Sequence, residues 1–513
     1  MQPTVIQQIL LALSLTVSAL FFIYGYNCFY LLYSAKRYAV PAAGSLKGKP
    51  TVAIHLPIYN EKYVARRVIY SCAKVAECYG VELVRILVLD DSDDDTSDEV
   101  NRVVEDLGAQ GFRIEVLRRA DRSGYKAGAL QKALEVTSEK YICVFDADFI
   151  PPSDFLLKII PYMEADESLG LVQARWTHVN RGYNYVTKAV SLGIDGHFLI
   201  EQPGRLAAGC FLNFNGSAGV LRREALVKVG GWQADTLAED LDVSYRMQLE
   251  GYRVLYLRDV CAPAEVPPSI SGFKRQQARW ACGSVQVAKK HLVKILLRKD
   301  LSLKQKFEAF THLTYYFVHP LILAAFILAA FASILNVDTI GFDMPQPSST
   351  SIAEYIRSLE AHNVTWLPLG AAILTCWAAV WVYYVASVRQ QRLGLIRSLP
   401  ALITLGFIGY GVSVSNTIQV LRALLSSRSQ PFLRTPKYAI ERSGDDWRGK
   451  KYQVPLDATL VIELLTIVLG AASIASAATL GNLGILPILV PYTASYVFVA
   501  SLTIYHSRGA GSG

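Results

Sequence analysis

Tyr141-Ile142-Cys143-Val144-Phe145-Asp146-Ala147-Asp148 is the stretch whose reading decides the fold. An apolar run leads straight into two carboxylates separated by one residue. A short continuous apolar run of this kind reads as a buried strand. Leu83–Leu89 repeats the pattern and runs into Asp90-Asp91. Thr51–Pro57 (TVAIHLP) and Ile114–Leu117 are two further strands, and 62–79, 97–107 and 125–137 read as helices between them. Strands alternating with helices imply a parallel α/β sheet covered on both faces. In such sheets ligands bind beyond the carboxyl ends of the strands. Both aspartate clusters fall there, which sets them apart from acids in an arbitrary loop.

Outward from this block the chain turns apolar. It has 513 residues, 52% hydrophobic and 18% charged, which points to membrane integration. The net charge of +8 comes without a basic stripe interleaved with aromatics, so no nucleic-acid partner is expected. The eight cysteines form no C-x-x-C pair, and neither a disulfide framework nor zinc is expected. A membrane span needs about 20 apolar residues. Residues 5–33, 309–335, 366–388, 456–480 and 483–505 qualify. Residues 398–424 contain Asn416 and Gln419, and the following segment 427–455 is basic. An interfacial helix at 398–424 keeps that segment inside, as the positive-inside tendency requires. The reading is therefore five spans ahead of six, the sixth candidate being 398–424, with the N-terminus outside and the large domain and C-terminus inside. Residues 272–300 look amphipathic and basic, suited to a cytoplasmic lipid surface. Membrane lipids are thus expected partners. The expected domains are 1–40 (first span), 45–270 (cytosolic catalytic block), 271–306 (interface helices), 307–390 (two spans), 391–455 (interface helix and a loop) and 456–507 (two spans).

Each motif has a chemical reading and a plainer one. Pro57, Tyr59 and Glu61 follow the first strand, where a ring and polar groups can hold a nucleobase; the alternative is an ordinary strand-to-helix loop. Asp90 and Asp91 can bond a base or ribose, whereas Asp93 to Asp95 read as a solvated turn. Asp146 and Asp148 can hold a hard divalent ion, Mg²⁺ or Mn²⁺, that shares its other positions with water and a diphosphate. Lys126 lies near a helix start, where it can contact phosphate or simply face solvent. Phe211–Gly219 (FLNFNGSAG) suits close backbone approach to a ligand or a turn. Asp240, after Glu239, can be a general base, or both can be helix-start acids. Arg279 can pair with diphosphate, and Trp280 offers a flat face to a sugar ring. Their alternative is an interfacial pair.

Taken in order, P-x-Y-N-E, D-D, K-A-G-A-L, D-A-D, F-N-G-S-A-G, E-D and Q-Q-x-R-W resemble inverting glycosyltransferase family 2. The likeness is to its membrane-integrated branch of cellulose, chitin and hyaluronan synthases. Phe214–Trp280 is most similar to the plant cellulose-synthase-like A and C proteins, which make mannan and xyloglucan backbones. The resemblance covers about residues 50–300. It also reaches Phe432–Lys437 (FLRTPK), similar to the F-x-x-T-x-K gating loop of cellulose synthase, with Arg434 where valine is usual. It implies an α/β GT-A-type domain, with a mixed, mostly parallel sheet, fused to transmembrane helices. It implies catalysis by Asp240 beside Glu239. Pro57, Tyr59, Glu61, Asp90, Asp91, Lys126, Asp146 and Arg279 would hold the nucleotide sugar. Asn215, Gly216, Ser217, Gln276 and Trp280 would hold the acceptor, and Asp148 with Asp146 the metal. Phe432, Thr435 and Lys437 would close over the bound nucleotide.

The resulting expectation is a processive hexosyltransferase of the plasma membrane. It would build a β-linked polysaccharide from UDP-glucose or GDP-mannose on a growing glycan and translocate it. The alternatives are transfer of a single sugar to a lipid acceptor, as ceramide glucosyltransferases do, and a channel or scaffold with a vestigial nucleotide fold. His312 and His319 read as packing or hydrogen-bonding residues, and Asn363-Val364-Thr365 matches a glycosylation sequon.

Overall fold

The computed structural model describes residues 5–46, 48–337, 366–426, 433–442 and 444–507. Phe432 and the 363–365 sequon lie outside them. Seven strands form one sheet: β1 (Val52–Ile58), β2 (Val84–Asp90), β3 (Arg113–Leu117), β4 (Tyr141–Val144), β5 (Leu169–His178), β6 (Gly219–Arg222) and β7 (Arg253–Ala264). The order is β3-β2-β1-β4-β6-β5-β7. All pairings are parallel except those of β6, which is antiparallel to both β4 and β5. The sheet is thus mixed and mostly parallel.

The continuous apolar runs follow from burial on both faces. Along β4, Tyr141 and Cys143 enter one core while Ile142 and Val144 enter the other. β2 divides the same way, with Ile86 and Val88 on one side and Leu87 and Leu89 on the other. The helices Lys62–Tyr79, Thr96–Ala109 and Phe155–Ala165 cover the first face. Tyr125–Val136 and Glu239–Leu249 cover the second.

Among the described residues four helices are long and apolar enough to cross a membrane: Val5–Ala35, Tyr315–Ile334, Thr459–Leu480 and Leu483–Ser507. Leu395–Gly411 and Ser413–Leu425, bent by 43° at their junction, make a fifth if counted as one. The helix Trp366–Gln390 covers the apolar stretch 366–388. The α/β domain seats closely on the first of these helices. A Cβ on Gly204 would lie 2.5 Å from the Leu31 carbonyl oxygen, an approach only glycine permits.

Two sequence expectations change. The stretch 309–335 is not one helix. Leu303–Leu313 ends at Thr314, and a tight turn at Tyr315–Phe317 precedes Val318–Ile334. The reason is polar. Arg205 of the α/β domain bonds Glu308 at 2.6 Å and Tyr245 bonds His312 at 2.8 Å, so this first helix belongs to the domain. Likewise, several basic residues of 272–300 meet protein rather than lipid. In the helix Ile270–Leu297, Lys274 pairs with Glu463 at 2.6 Å and Lys290 with Asp242 at 2.9 Å. Lys289 donates to the carbonyls of Ala423 and Leu424 at the end of Ser413–Leu425, where a cation also favours the helix dipole. Lys294 and Lys299 stay exposed.

The Arg205 guanidinium joins Glu308 to Glu201, and both Arg205 and Glu308 are buried. Arg205→Met leaves buried carboxylates without their cation. It should cost about 3–5 kcal/mol, read as a lower unfolding midpoint in detergent; an unchanged midpoint would contradict this.

Candidate active site

A cleft partly open to solvent lies beyond the carboxyl ends of β1, β2 and β4. Pro57, Tyr59 and Glu61 line it at the end of β1, Asp91 at the end of β2, and Asp146 and Asp148 after β4. Lys126, Asn215, Glu239, Asp240, Gln276, Arg279, Trp280, Thr435 and Lys437 line it too. The fold therefore gathers these candidates, spread over nearly 400 positions of sequence, around one space.

Charge organises the cleft. Lys126 Nζ lies 2.6 Å from Asp146 Oδ1 and 3.4 Å from Glu239 Oε1, and donates to the Gly216 carbonyl at 2.9 Å. Burial opposes the lysine's charge, but Asp146, Glu239 and Asp240 outweigh it and raise its pKa. Lys437 Nζ, from the far segment, lies 2.5 Å from Asp148 Oδ2. Glu265 receives the amides of Tyr438 at 2.9 Å and Ile440 at 3.3 Å, fixing that segment as a strap over the cleft.

Two carboxyls are pushed toward neutrality. Burial, reinforced by neighbouring Glu239, pushes Asp240 up to about 7 against the pull of Lys126. Its Oδ1 accepts from the Leu241 amide at 2.8 Å at the start of the helix Glu239–Leu249. A carboxyl of this kind can take a proton from a hydroxyl near neutral pH. Burial also pushes Glu61 up to about 7, with Asp148 and Asp146 adding repulsion and Arg434 and Lys437 relieving it. Three carboxyls sharing this side of the cleft favour positive charge nearby. Among the described residues no three His, Cys, Asp or Glu side chains could ligate a metal ion together. A divalent ion on Asp146 and Asp148 therefore suits a site completed by diphosphate and water.

Some candidates sit elsewhere. Asp90 is buried, held by Arg118 at 2.7 Å and Ser97 at 2.8 Å, and is not among the residues lining the cleft. Asp91 lines the cleft but is already bonded by Arg119. Ser217 is buried, and its hydroxyl accepts from the Asp146 amide at 2.9 Å, supporting the turn beneath the carboxylates. Gly216 packs beside Asp240: a Cβ there would lie 2.7 Å from Asp240 Oδ2, and φ is +79°. Both contribute by shaping the site. Asp93 to Asp95, read as solvated, hold other loops. Asp93 accepts from Tyr59 and Asn60, Asp94 from Tyr452, and Asp95 from Lys451.

Several lining residues escaped the sequence reading. The Arg122 guanidinium stands 3.1 Å from the Tyr59 ring centroid. Its one sequence signal is the arginine cluster of residues 118–122. His178 and Trp176 come from the end of β5, and Glu265 follows β7, with no motif to mark them. Asn215 is oriented from behind by Gln202 and His197, each at 3.0 Å. Five non-glycine residues with left-handed backbone, Asn60, Tyr125, Ala218, Ala439 and Tyr452, surround the cleft or its strap. Such strain collects where a ligand site over-determines the backbone.

A mixed, mostly parallel sheet with acidic groups at its strand ends and a tryptophan-bearing helix across the cleft defines a glycosyltransferase domain of the GT-A type. Residues 141–414 match the model described as "Glycosyl transferase family group 2", and residues 53–226 that of "Glycosyl transferase family 2". The first match covers more than half of the chain, which therefore belongs to glycosyl transferase family group 2. The chain is 36% identical over 276 residues to "Probable glucomannan 4-beta-mannosyltransferase 7" of Oryza sativa subsp. japonica, covering 52% of this chain and 47% of that protein. It is 36% identical over 261 residues to "Glucomannan 4-beta-mannosyltransferase 7" of Arabidopsis thaliana, covering 50% and 47%. The chain thus spans about half the length of these curated relatives. Among solved structures, the mannosyltransferase PcManGT from Pyrobaculum calidifontis, in complex with GDP-Man and Mn²⁺, aligns with a TM-score of 0.47 at 19% identity. That alignment covers 74% of this chain and 98% of that one.

Gly216→Ala puts a methyl group against Asp240 and strains a left-handed position. It should destabilise the chain by about 1 kcal/mol or more, read by thermal unfolding. A structure of the variant should show the Asp240 carboxylate displaced; an unmoved carboxylate would contradict the packing described.

Proposed function

We propose that the protein is an inverting hexosyltransferase that moves a sugar from a nucleotide-sugar donor to an acceptor hydroxyl at a membrane. The observation that carries this reading is Asp240. Its carboxyl, raised to about 7, faces the same cleft as Asp146, Asp148 and Trp280. Asp240 would take the proton of the acceptor hydroxyl as its oxygen bonds to the anomeric carbon. The bond from that carbon to the diphosphate oxygen breaks, and the electron pair leaves with the nucleoside diphosphate. Glu239 would hold Asp240 near neutrality, and Lys126, Arg279 and Lys437 would balance the departing charge. Tyr59, with Arg122 on its face, suits a nucleobase. Gln276, Asn215 and Trp280 would position the acceptor, and Thr435 with Lys437 would close over the donor. A Mg²⁺ or Mn²⁺ ion on Asp148 and Asp146 would neutralise the diphosphate.

The finer reading is a processive synthase of the cellulose-synthase-like A or C kind. The names of the curated relatives favour mannosyl transfer into a β-glycan, hence GDP-mannose ahead of UDP-glucose. The apolar helices after the domain would carry the growing chain across the plasma membrane. Residues 45–270 would lie in the cytoplasm together with the strap, and the basic stretch 427–455 supports that side.

Purified full-length protein should release nucleoside diphosphate from one of these donors and yield a polymer that a β-glycanase digests. Only a mono-glycosylated lipid would instead select the single-sugar alternative. Asp240→Asn should lower transfer by roughly 10²–10⁴-fold while donor binding persists; retained transfer would refute the assigned base. Because the base acts deprotonated, the rate should fall as pH drops through about 7. A rate flat from pH 6 to 8, with chemistry limiting, would contradict this.

A further inference from the structure

Arg434 stands in the strap where the hexapeptide it resembles usually has valine. It lines the cleft with Tyr59 and Glu61. Its Nη1 is buried and has no hydrogen-bond partner among the described residues. The cleft's two lysines differ, since Lys126 sits on Asp146 and Lys437 on Asp148. A buried guanidinium N–H without an acceptor is costly, so its persistence points to an acceptor supplied from outside the chain.

The support beneath Arg434 is built. Its guanidinium lies 4.0 Å from the Tyr452 ring centroid. Tyr452 is held in turn, its hydroxyl donating to Asp94 and its carbonyl accepting from Tyr438 at 3.3 Å. Next to it Lys451 bonds Asp95 at 2.9 Å. Tyr452 itself has φ +77°, a strained backbone for a tyrosine. A ring fixed in this way holds the guanidinium flat while Nη1 stays without a partner among the described residues. Position narrows the ligand. Glu61 feels the charges of Arg434, Lys437, Asp148 and Asp146 together, so Arg434 stands at the carboxylate corner. An anionic oxygen is the acceptor that suits this guanidinium N–H best there.

We propose that Arg434 is a donor-binding residue that bonds the phosphate oxygens of a nucleoside diphosphate, giving the strap a hold on the anion that valine could not make. This rests on the proposed function. Binding of GDP, UDP, guanosine and uridine to the full-length protein, with Mn²⁺ present, tests it. Arg434→Gln should weaken whichever diphosphate the wild type binds by about tenfold or more. It should leave the corresponding nucleoside within twofold, and Arg434→Lys should recover part of the loss. Unchanged diphosphate binding in Arg434→Gln, or an equal loss for the nucleoside, overturns the inference alone. A wild type that binds neither diphosphate overturns the proposed function first. An unfolding midpoint without nucleotide that matches the wild type shows the variant is folded.

Discussion

The cleft must hold more negative charge than a protein interior tolerates, and much of the structure answers that constraint. Glu61, Asp146 and Asp148 crowd one corner while Glu239 and Asp240 meet at another. Taking carboxylates out of water is costly unless cations or hydrogen bonds compensate. Lys126 spans the two corners, touching Asp146 and Glu239 and drawing in the Gly216 carbonyl. Lys437 reaches Asp148 from 289 residues away. Where compensation stops short, at Asp240 and Glu61, the carboxyls rise toward neutrality, which is the property a base near pH 7 needs.

The same constraint explains why the strap is part of the domain. Its backbone amides at Tyr438 and Ile440 close on Glu265, and Glu441 pairs with Arg67 at 2.8 Å. Tyr452 and Lys451 lean on Asp94 and Asp95. The strap therefore ties the sheet's strand ends to the segment between the later apolar helices. A second tie runs below. Asn215, at the cleft wall, is bonded to His197, His197 to Glu201, and Glu201 to Tyr383 of the helix Trp366–Gln390. The site is thus linked through contiguous polar contacts to elements outside the α/β domain.

Much of the frame was legible in the residues. Apolar runs ending in aspartate marked β2 and β4, because burial on both faces demands such runs and strand ends expose the next polar groups. The helix starts at Glu239 and Tyr125 carried Asp240 and Lys126 into the cleft as the motif order implied. What failed was orientation. Asp90 and Asp91 are adjacent, yet strand alternation turns Asp90 toward Arg118 and leaves Asp91 on the cleft wall. Asp93 to Asp95 do lie at the surface, but they also bond partners about 350 residues onward or on a neighbouring loop, which the sequence could not report. The helix break at Thr314 is set by Arg205 and Tyr245, which no local periodicity reports. Glu265, His178 and Arg122 reach the site through tertiary placement alone.

On the function proposed, a divalent ion would take over from Lys126 and Lys437 in balancing Asp146 and Asp148, leaving those lysines to the diphosphate that completes the ion's coordination. Calorimetric titration of Mn²⁺ into the full-length protein, with and without the nucleoside diphosphate of the preferred donor, tests it most directly. Mn²⁺ should bind weakly alone and at least tenfold more tightly with the diphosphate, because each ligand completes the other's site. That gain should vanish in Asp148→Ala. Equal Mn²⁺ affinity with and without diphosphate, or a gain that survives Asp148→Ala, would contradict the account.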